Sequence, residues 1–385
     1  MRFSSASSPE TTPTSEPSRA RLHFHRRPTC WPVPAQETLI GAAAGDALEA
    51  IAAWERSQTV SDLDPQLLPQ VYRNLARHGY EEADDLKPHY DAAAKQNQAH
   101  LAHLSPVVRG LHRVGIPTLL LNGVALSLAV YRDDGARPIR DLHLLVPTNE
   151  ADRALAWLAE NGWRSLDGLR MELTQAQRRY RHAIRLMDQA GQTVYLHWHL
   201  LAQSRTEKAD DEFWKQAWPA YLGEDRSLAL TPTHQLLHTC AQSLNGDPQW
   251  AVDALVVIRQ CKIDWEELLR LARRHDLVLL LGDSLGYLQH AFHTRIPRSV
   301  VWRLDGEPVD RWTEMEYRYL SEPHGQHGAW VCMAHAYRGY WRGVWDLPLT
   351  QGITGFPAYL ADRAQLPGVA SLPGYWLRRA FRRGR

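Results

Sequence analysis

The sequence predicts an α/β protein, in the α+β sense: a small mixed sheet held between an N-terminal and a C-terminal helical part. Three observations carry this. Apolar residues recur with helical spacing through residues 35–115 and again through 226–300. Between them, residues 116–225 alternate strand-like and helical runs, as a mixed layer does. Residues 183–198 have the pattern of a β-hairpin.

Residues 1–34 are rich in Ser, Thr, Pro and Arg without apolar periodicity, and a disordered tail is expected. From Ala35, Leu39, Ala43, Leu48, Ile51 and Trp54 mark helices, and Leu67, Leu68, Val71 and Leu75 mark another after the turn Asp64-Pro65. A longer helix runs from about His89 to Leu111 and stops near Gly115. A strand over Thr118–Leu121 leads into a helix at 124–131, then the turn Asp133-Asp134-Gly135. Leu142, Leu144, Leu145 and Val146 form the next strand, closed by Pro147. Thr148 is placed to cap a helix over Asn149–Asn161, with Gly162 as its stop. Strands Ala183–Met187 and Thr193–Trp198 flank a loop at 188–192. In the C-terminal helical region, Thr233 is placed to cap Gln235–Ser243, Asp264 to cap Trp265–His275, and Leu277–His290 is strongly apolar. Residues 301–385, dense in Trp, Tyr, Gly and Pro, predict irregular packed turns ending in a basic tail.

Composition excludes several function classes. With 44 Lys and Arg against 43 Asp and Glu, the net charge is +1, so no global field selects nucleic acid. Local charge is uneven: Arg378, Arg379, Arg382, Arg383 and Arg385 surround Trp376, Leu377 and Phe381, a tail suited to a membrane surface, an acidic partner or RNA, or to plain solvation. Cys30, Cys240, Cys261 and Cys332 are far apart and form no metal-ligand pair, which predicts reduced thiols in the cytoplasm. No apolar run approaches the roughly 18–20 residues of a membrane span, and the N-terminus lacks the apolar centre of a secretory signal.

The chemistry concentrates at residues 119–147. Side chains two apart on a strand share a face, so Asp141 and His143 point one way while Leu142 and Leu144 enter the opposite layer. Asp-x-Asp in this place would clamp a divalent metal against a triphosphate; here it is Asp-x-His. Asp141 faces a cleft or bonds to Arg137 or Arg140. Gly123 lets backbone approach a phosphate at the following helix or simply serves the turn. Arg137 clamps phosphate bidentately or holds Asp141 or Asp134. His197, Tyr195 and His199 share a face of the strand beside that of Asp141, with His182 opening the partner strand. These imidazoles with His143 are a transition-metal set or hydrogen-bonded structural pairs.

Gly123 in LNGVAL, Arg137 in GARPIR, Asp141 in DLHLLVP and His197-Trp198 in VYLHWHL together resemble the uncharacterised nucleotidyltransferase family of bacteria, a branch of the polymerase-β-like superfamily. Residues about 35–300 carry the resemblance, from LLPQVYRNLARHG to DWEELLRLARRHDL and RIP. It implies a polymerase-β-like core, a nucleoside triphosphate as ligand at Asn122, Gly123 and Arg137, and Mg²⁺ as metal at Asp141, with Mn²⁺ as the alternative. Catalysis would fall to Asp141 and His143, supported by His182, Tyr195 and His197. Transfer of a nucleoside monophosphate to a peptide, protein or saccharide acceptor would follow. The departures are specific. The family usually has Lys where this chain has Asn122, a second Asp where it has His143, and an acidic residue where it has Tyr195. One carboxylate of three remains, and the expectation therefore divides between a transferase and a catalytically degenerate binding or scaffold subunit, with metal-dependent hydrolysis through the histidines a more distant third.

Overall fold

The computed structural model describes residues 28, 30–57, 63–166, 170–206, 208–322, 329–345 and 349–376; residues 1–27 of the expected N-terminal tail and 377–385 of the basic tail lie outside them. A seven-stranded sheet forms the centre, in the order β3-β4-β5-β2-β1-β7-β6. Its strands are β1 (Leu119–Leu120), β2 (Leu142–Leu145), β3 (Arg164–Ser165), β4 (Ala183–Met187), β5 (Thr193–His197), β6 (Trp218–Leu222) and β7 (Asp225–Ala229). The expected hairpin is the antiparallel pair β4–β5, while β2 runs parallel to β5 and antiparallel to β1. The fold is predominantly helical around this mixed sheet, as expected of an α/β polymerase-β-like core.

The period-two pattern of β2 and β5 divides the two faces. Leu142, Leu144, Val194 and Leu196 join a dry core with Leu104, Val108 and Leu111 of the helix Lys87–Arg113 and Leu155 and Leu158 of the helix Ala151–Glu160. On the other face, Leu119 and Leu145 join a larger core in which Leu39, Ile40 and Val71 meet Leu236, Val252 and Leu281. The helices at both ends of the folded region therefore share one interior. Trp31, inside the stretch expected to be a tail, is 3% exposed and lies 5.7 Å from Trp250 and 4.8 Å from Tyr287, ring centre to ring centre. An aromatic ring of that size stabilises by burial alone.

Several local expectations are corrected. Thr148 caps no helix: its hydroxyl donates to the Trp198 carbonyl at 2.8 Å, and a short 3₁₀ turn precedes Ala151–Glu160. The cap of the helix Pro232–Ala241 is Thr231, whose hydroxyl accepts from the His234 amide at 3.3 Å, with Pro232 pre-set in the first turn. Thr233 instead accepts from the Asp264 amide at 2.9 Å. Asp264 does cap its helix, accepting from the Glu267 amide at 3.0 Å.

The segment expected to be a helix at 124–131 is one α-turn, Asn122–Ala125, continuing as a π-helix, Leu126–Tyr131. Beyond residue 305 the chain is helical rather than irregular, over Arg311–Ser321, Ala329–Val344 and Leu349–Arg363. Ala336, Tyr340 and Val344 form a stripe at helical spacing that packs on Tyr180 and Tyr359. Glycines there serve close approach: a Cβ on Gly343 would sit 2.2 Å from the Arg179 carbonyl oxygen.

Candidate functional site

A cleft opens on the histidine-bearing face, between the mouth of β2, the turn at Asn122-Gly123 and the helices Pro232–Ala241 and Gln249–Gln260. Asn122 starts this turn in the left-handed region, φ 52°, a conformation that Asn tolerates. Its Oδ1 accepts from Gln242 Nε2 at 2.6 Å, which ties the turn to the helical part. Gly123 borders the cleft, where a Cβ would lie 3.5 Å from Arg137 Nη1.

Arg137 is positioned by an unusual loop. Asn97, buried inside the long helix, donates to the carbonyls of Asp134 at 2.6 Å and Arg137 at 2.9 Å and accepts from the Ile139 amide at 2.7 Å. Asp133 accepts from the amides of Gly135 and Ala136 at 3.1 and 2.8 Å, closing the turn. The guanidinium so placed holds neither Asp141 nor Asp134. It grips Asp253 with Nε at 2.8 and 3.0 Å and Nη2 at 2.9 Å, in a pair whose side chains are 8% and 4% exposed. Its remaining amino group donates to the Pro138 carbonyl. Asp253 also accepts from Tyr131 at 2.8 Å and Gln249 at 3.2 Å, and Tyr131 accepts from Gln70 at 3.1 Å. The π-turn is what delivers the Tyr131 hydroxyl there, and burial raises its pKa well above the ordinary value.

Asp141 stands at the entrance of β2, half-buried, with no hydrogen-bond or ion-pair partner among the described residues. Its neighbour Arg140 instead pairs with Asp247 across the cleft and donates to Gln66 at 2.6 Å. The cleft that Arg140 and Asp247 line has about 90 Å³ of free space, below the roughly 300–1,000 Å³ of small-molecule sites.

His143 turns from the entrance toward β5. The register sets it opposite Tyr195, and their rings stack at 4.6 Å and 7°. His143 Nδ1 lies 2.9 Å from His197 Nε2, and the His182 ring centre is 5.7 Å from that of His197. His238 closes the group from the helix Pro232–Ala241, with Nε2 3.2 Å from Gln242 Nε2. Burial, reinforced by mutual repulsion, pulls His143 down to about 3 and His182 to about 4. Burial alone brings His238 to about 4, and burial first, with the neighbouring imidazoles, holds His197 well below its ordinary value. The cluster is therefore neutral at pH 7. The His199 ring, next to His182, is held by Asp210 at 2.8 Å.

These donors do not suit the octahedral oxygen set that Mg²⁺ demands. Of the carboxylates lining the cleft, Asp141 alone is free, Asp247 and Asp253 are engaged by arginines, and His143 Nδ1 is engaged by His197. Among the described residues no group of three or more His, Cys, Asp or Glu side chains is arranged to hold a metal ion.

The mixed sheet, the helix-start turn facing a strand-mouth carboxylate and the flanking helices define a polymerase-β-like α/β core. The chain belongs to the uncharacterised nucleotidyltransferase family, whose model matches residues 62–293. Among curated proteins none matches it. No described helix is long and apolar enough to cross a membrane.

Four partners escaped sequence reasoning: Asp253 as counter-ion of Arg137, Asn97, Tyr131 and His238. A signal existed for His238. Gln235, His238 and Gln242 recur at three- and four-residue spacing along the helix Pro232–Ala241 and its C-cap, and such a polar stripe marks a face turned to a polar interior.

Proposed function

We propose that this chain is a catalytically degenerate member of its family, a binding or scaffold subunit that does not transfer nucleotides. One observation carries the reading: the residue in the place of the second metal-binding carboxylate, His143, is neutral, stacked on Tyr195 and bonded to His197. A neutral imidazole held this way supplies no charge against a triphosphate. The Arg140–Asp247 bridge supports the same reading, since it must open before a nucleotide can enter. Free thiols at all four cysteines support a cytoplasmic location.

A second reading is favoured by the partnerless Asp141. A nucleoside triphosphate with Mg²⁺ or Mn²⁺ would use that carboxylate and the Gly123 turn, and an acceptor, peptide, protein or saccharide, would take the nucleoside monophosphate. Pyrophosphate release from each ribonucleoside triphosphate, with either metal, separates the two. The expected result is no release by the parent. Turnover abolished by Asp141→Asn would overturn the degenerate reading. Calorimetry with Mg²⁺ and a nucleotide adds a gain-of-function arm: His143→Asp restores a second hard oxygen on the strand face and should tighten Mg²⁺ binding about tenfold or more. Equal affinity in parent and variant would show that the two positions do not share a metal-accessible face.

A further inference from the structure

Tyr131, bonded to Asp253 of the first cleft, borders a second cavity, of about 410 Å³, lined by the helices Leu68–Arg77 and Gln249–Gln260 and the turn at 293–295. Four guanidiniums line it, those of Arg73, Arg77, Arg259 and Arg295, against the single carboxylate of Asp46. Arg73 is engaged by Asp133 at 3.4 Å. Arg259 reaches Asp46 only at 4.0 Å, and that carboxylate is 79% exposed. Arg77 and Arg295 have no hydrogen-bond or ion-pair partner among the described residues. Like charges gathered around one cavity repel unless an anion joins them.

Two buried polar atoms in the same wall make the second, independent observation. Thr294 is 4% exposed and its hydroxyl has no partner among the described residues; Gln70 is 1% exposed and its Oε1 has none. His293 reaches the left-handed region at φ 47° to begin the turn that presents Thr294, a conformation uncommon outside glycine. Ordered water would satisfy the hydroxyl and the amide oxygen. It would not neutralise the guanidiniums.

We infer that this cavity binds a small phosphate-bearing anion. The guanidiniums of Arg77, Arg259 and Arg295 take its charged oxygens, Thr294 donates to it, and Gln70 Oε1 accepts from a protonated phosphate oxygen or an adjacent hydroxyl. The site is separate from the cleft at Asp141 but is linked to its wall: Gln70 Nε2 donates to Tyr131, which donates to Asp253.

The test is calorimetric titration of the full chain with pyrophosphate at low salt. The parent should bind saturably at one site. The double variant Arg77→Ala/Arg295→Ala, at exposed positions, should keep its melting temperature and bind about tenfold or more weakly, because charge-assisted bonds to phosphate are lost. Thr294→Val, close in shape, should weaken binding several-fold. Arg140→Ala, at the other cleft, should leave the affinity within about twofold. Absence of saturable binding by the parent, unchanged affinity in the double variant, or loss with Arg140→Ala instead would each overturn the assignment.

Discussion

His238→Gln should make the protein more resistant to acid. In the folded chain burial holds this imidazole at about 4, against 6.5 in an exposed histidine. The unfolded chain therefore binds a proton that the folded chain refuses, throughout the window between those values. The contribution to stability is intact above pH 6.5 and is lost as pH falls through the window. Each pH unit travelled inside it corresponds to about 1.4 kcal/mol, so at pH 5 His238 alone lowers stability by about 2 kcal/mol. A whole domain has about 5–15 kcal/mol. Glutamine keeps a polar group beside Gln242 but takes up no proton. Urea denaturation at several pH values between 7.5 and 5 measures the slope, which should flatten in the variant by close to one proton, about 1.4 kcal/mol per pH unit. Glu267, held down to about 2 chiefly by its bond to Arg270, adds the same slope to parent and variant and so cancels in the comparison. An unchanged slope would refute the claim that His238 is neutral and buried in the folded protein.

Asp253→Asn should destabilise the fold by about 3–5 kcal/mol, because it leaves Arg137 buried without its counter-charge; chemical denaturation at pH 7.5 reads this directly. Gly343→Ala should loosen the helix Ala329–Val344 from Gln175–Tyr180, at a cost of about 1–3 kcal/mol, since the added methyl meets the Arg179 carbonyl; limited proteolysis should then cut earlier near residues 323–348 than in the parent.

What was legible in the sequence was governed by local periodicity. The alternation in β2 and β5 gave their faces, and Leu142 and Leu144 lie in the dry layer as expected. The hairpin limits matched to within one residue, the second strand ending at His197 rather than Trp198, because a glycine loop separates two short apolar runs. Capping was less legible. Threonines at 231 and 233 both stand at the start of the helix, and the choice falls to Thr231 because Pro232 fits the first turn and the Thr233 hydroxyl is needed by the distant Asp264 amide. The C-terminal helices were hidden for a different reason: glycine and proline usually mark turns, whereas Gly343 and Gly355 here admit neighbouring chain and a tyrosine hydroxyl. The pairing of Arg137 with Asp253 spans 116 positions, and nothing in the local pattern of either residue selects the other.

The shared interior of the two helical ends has a consequence for how the protein is made. The helices Pro34–Ala44 and Ala47–Ser57 emerge early, yet the helix Gln249–Gln260 against which the first of them packs is synthesised roughly 205 residues after that first helix ends. At about 5–20 residues per second, the helix Pro34–Ala44, covered first by Ala47–Ser57 and Leu68–Arg77, waits on the order of 10–40 s for this later partner. During that interval the nascent chain carries uncovered surface that will be internal in the finished molecule. Ribosome-bound chaperones, and any slowing of translation between residues 60 and 250, should therefore govern the yield of this protein more than the stability of its folded state does.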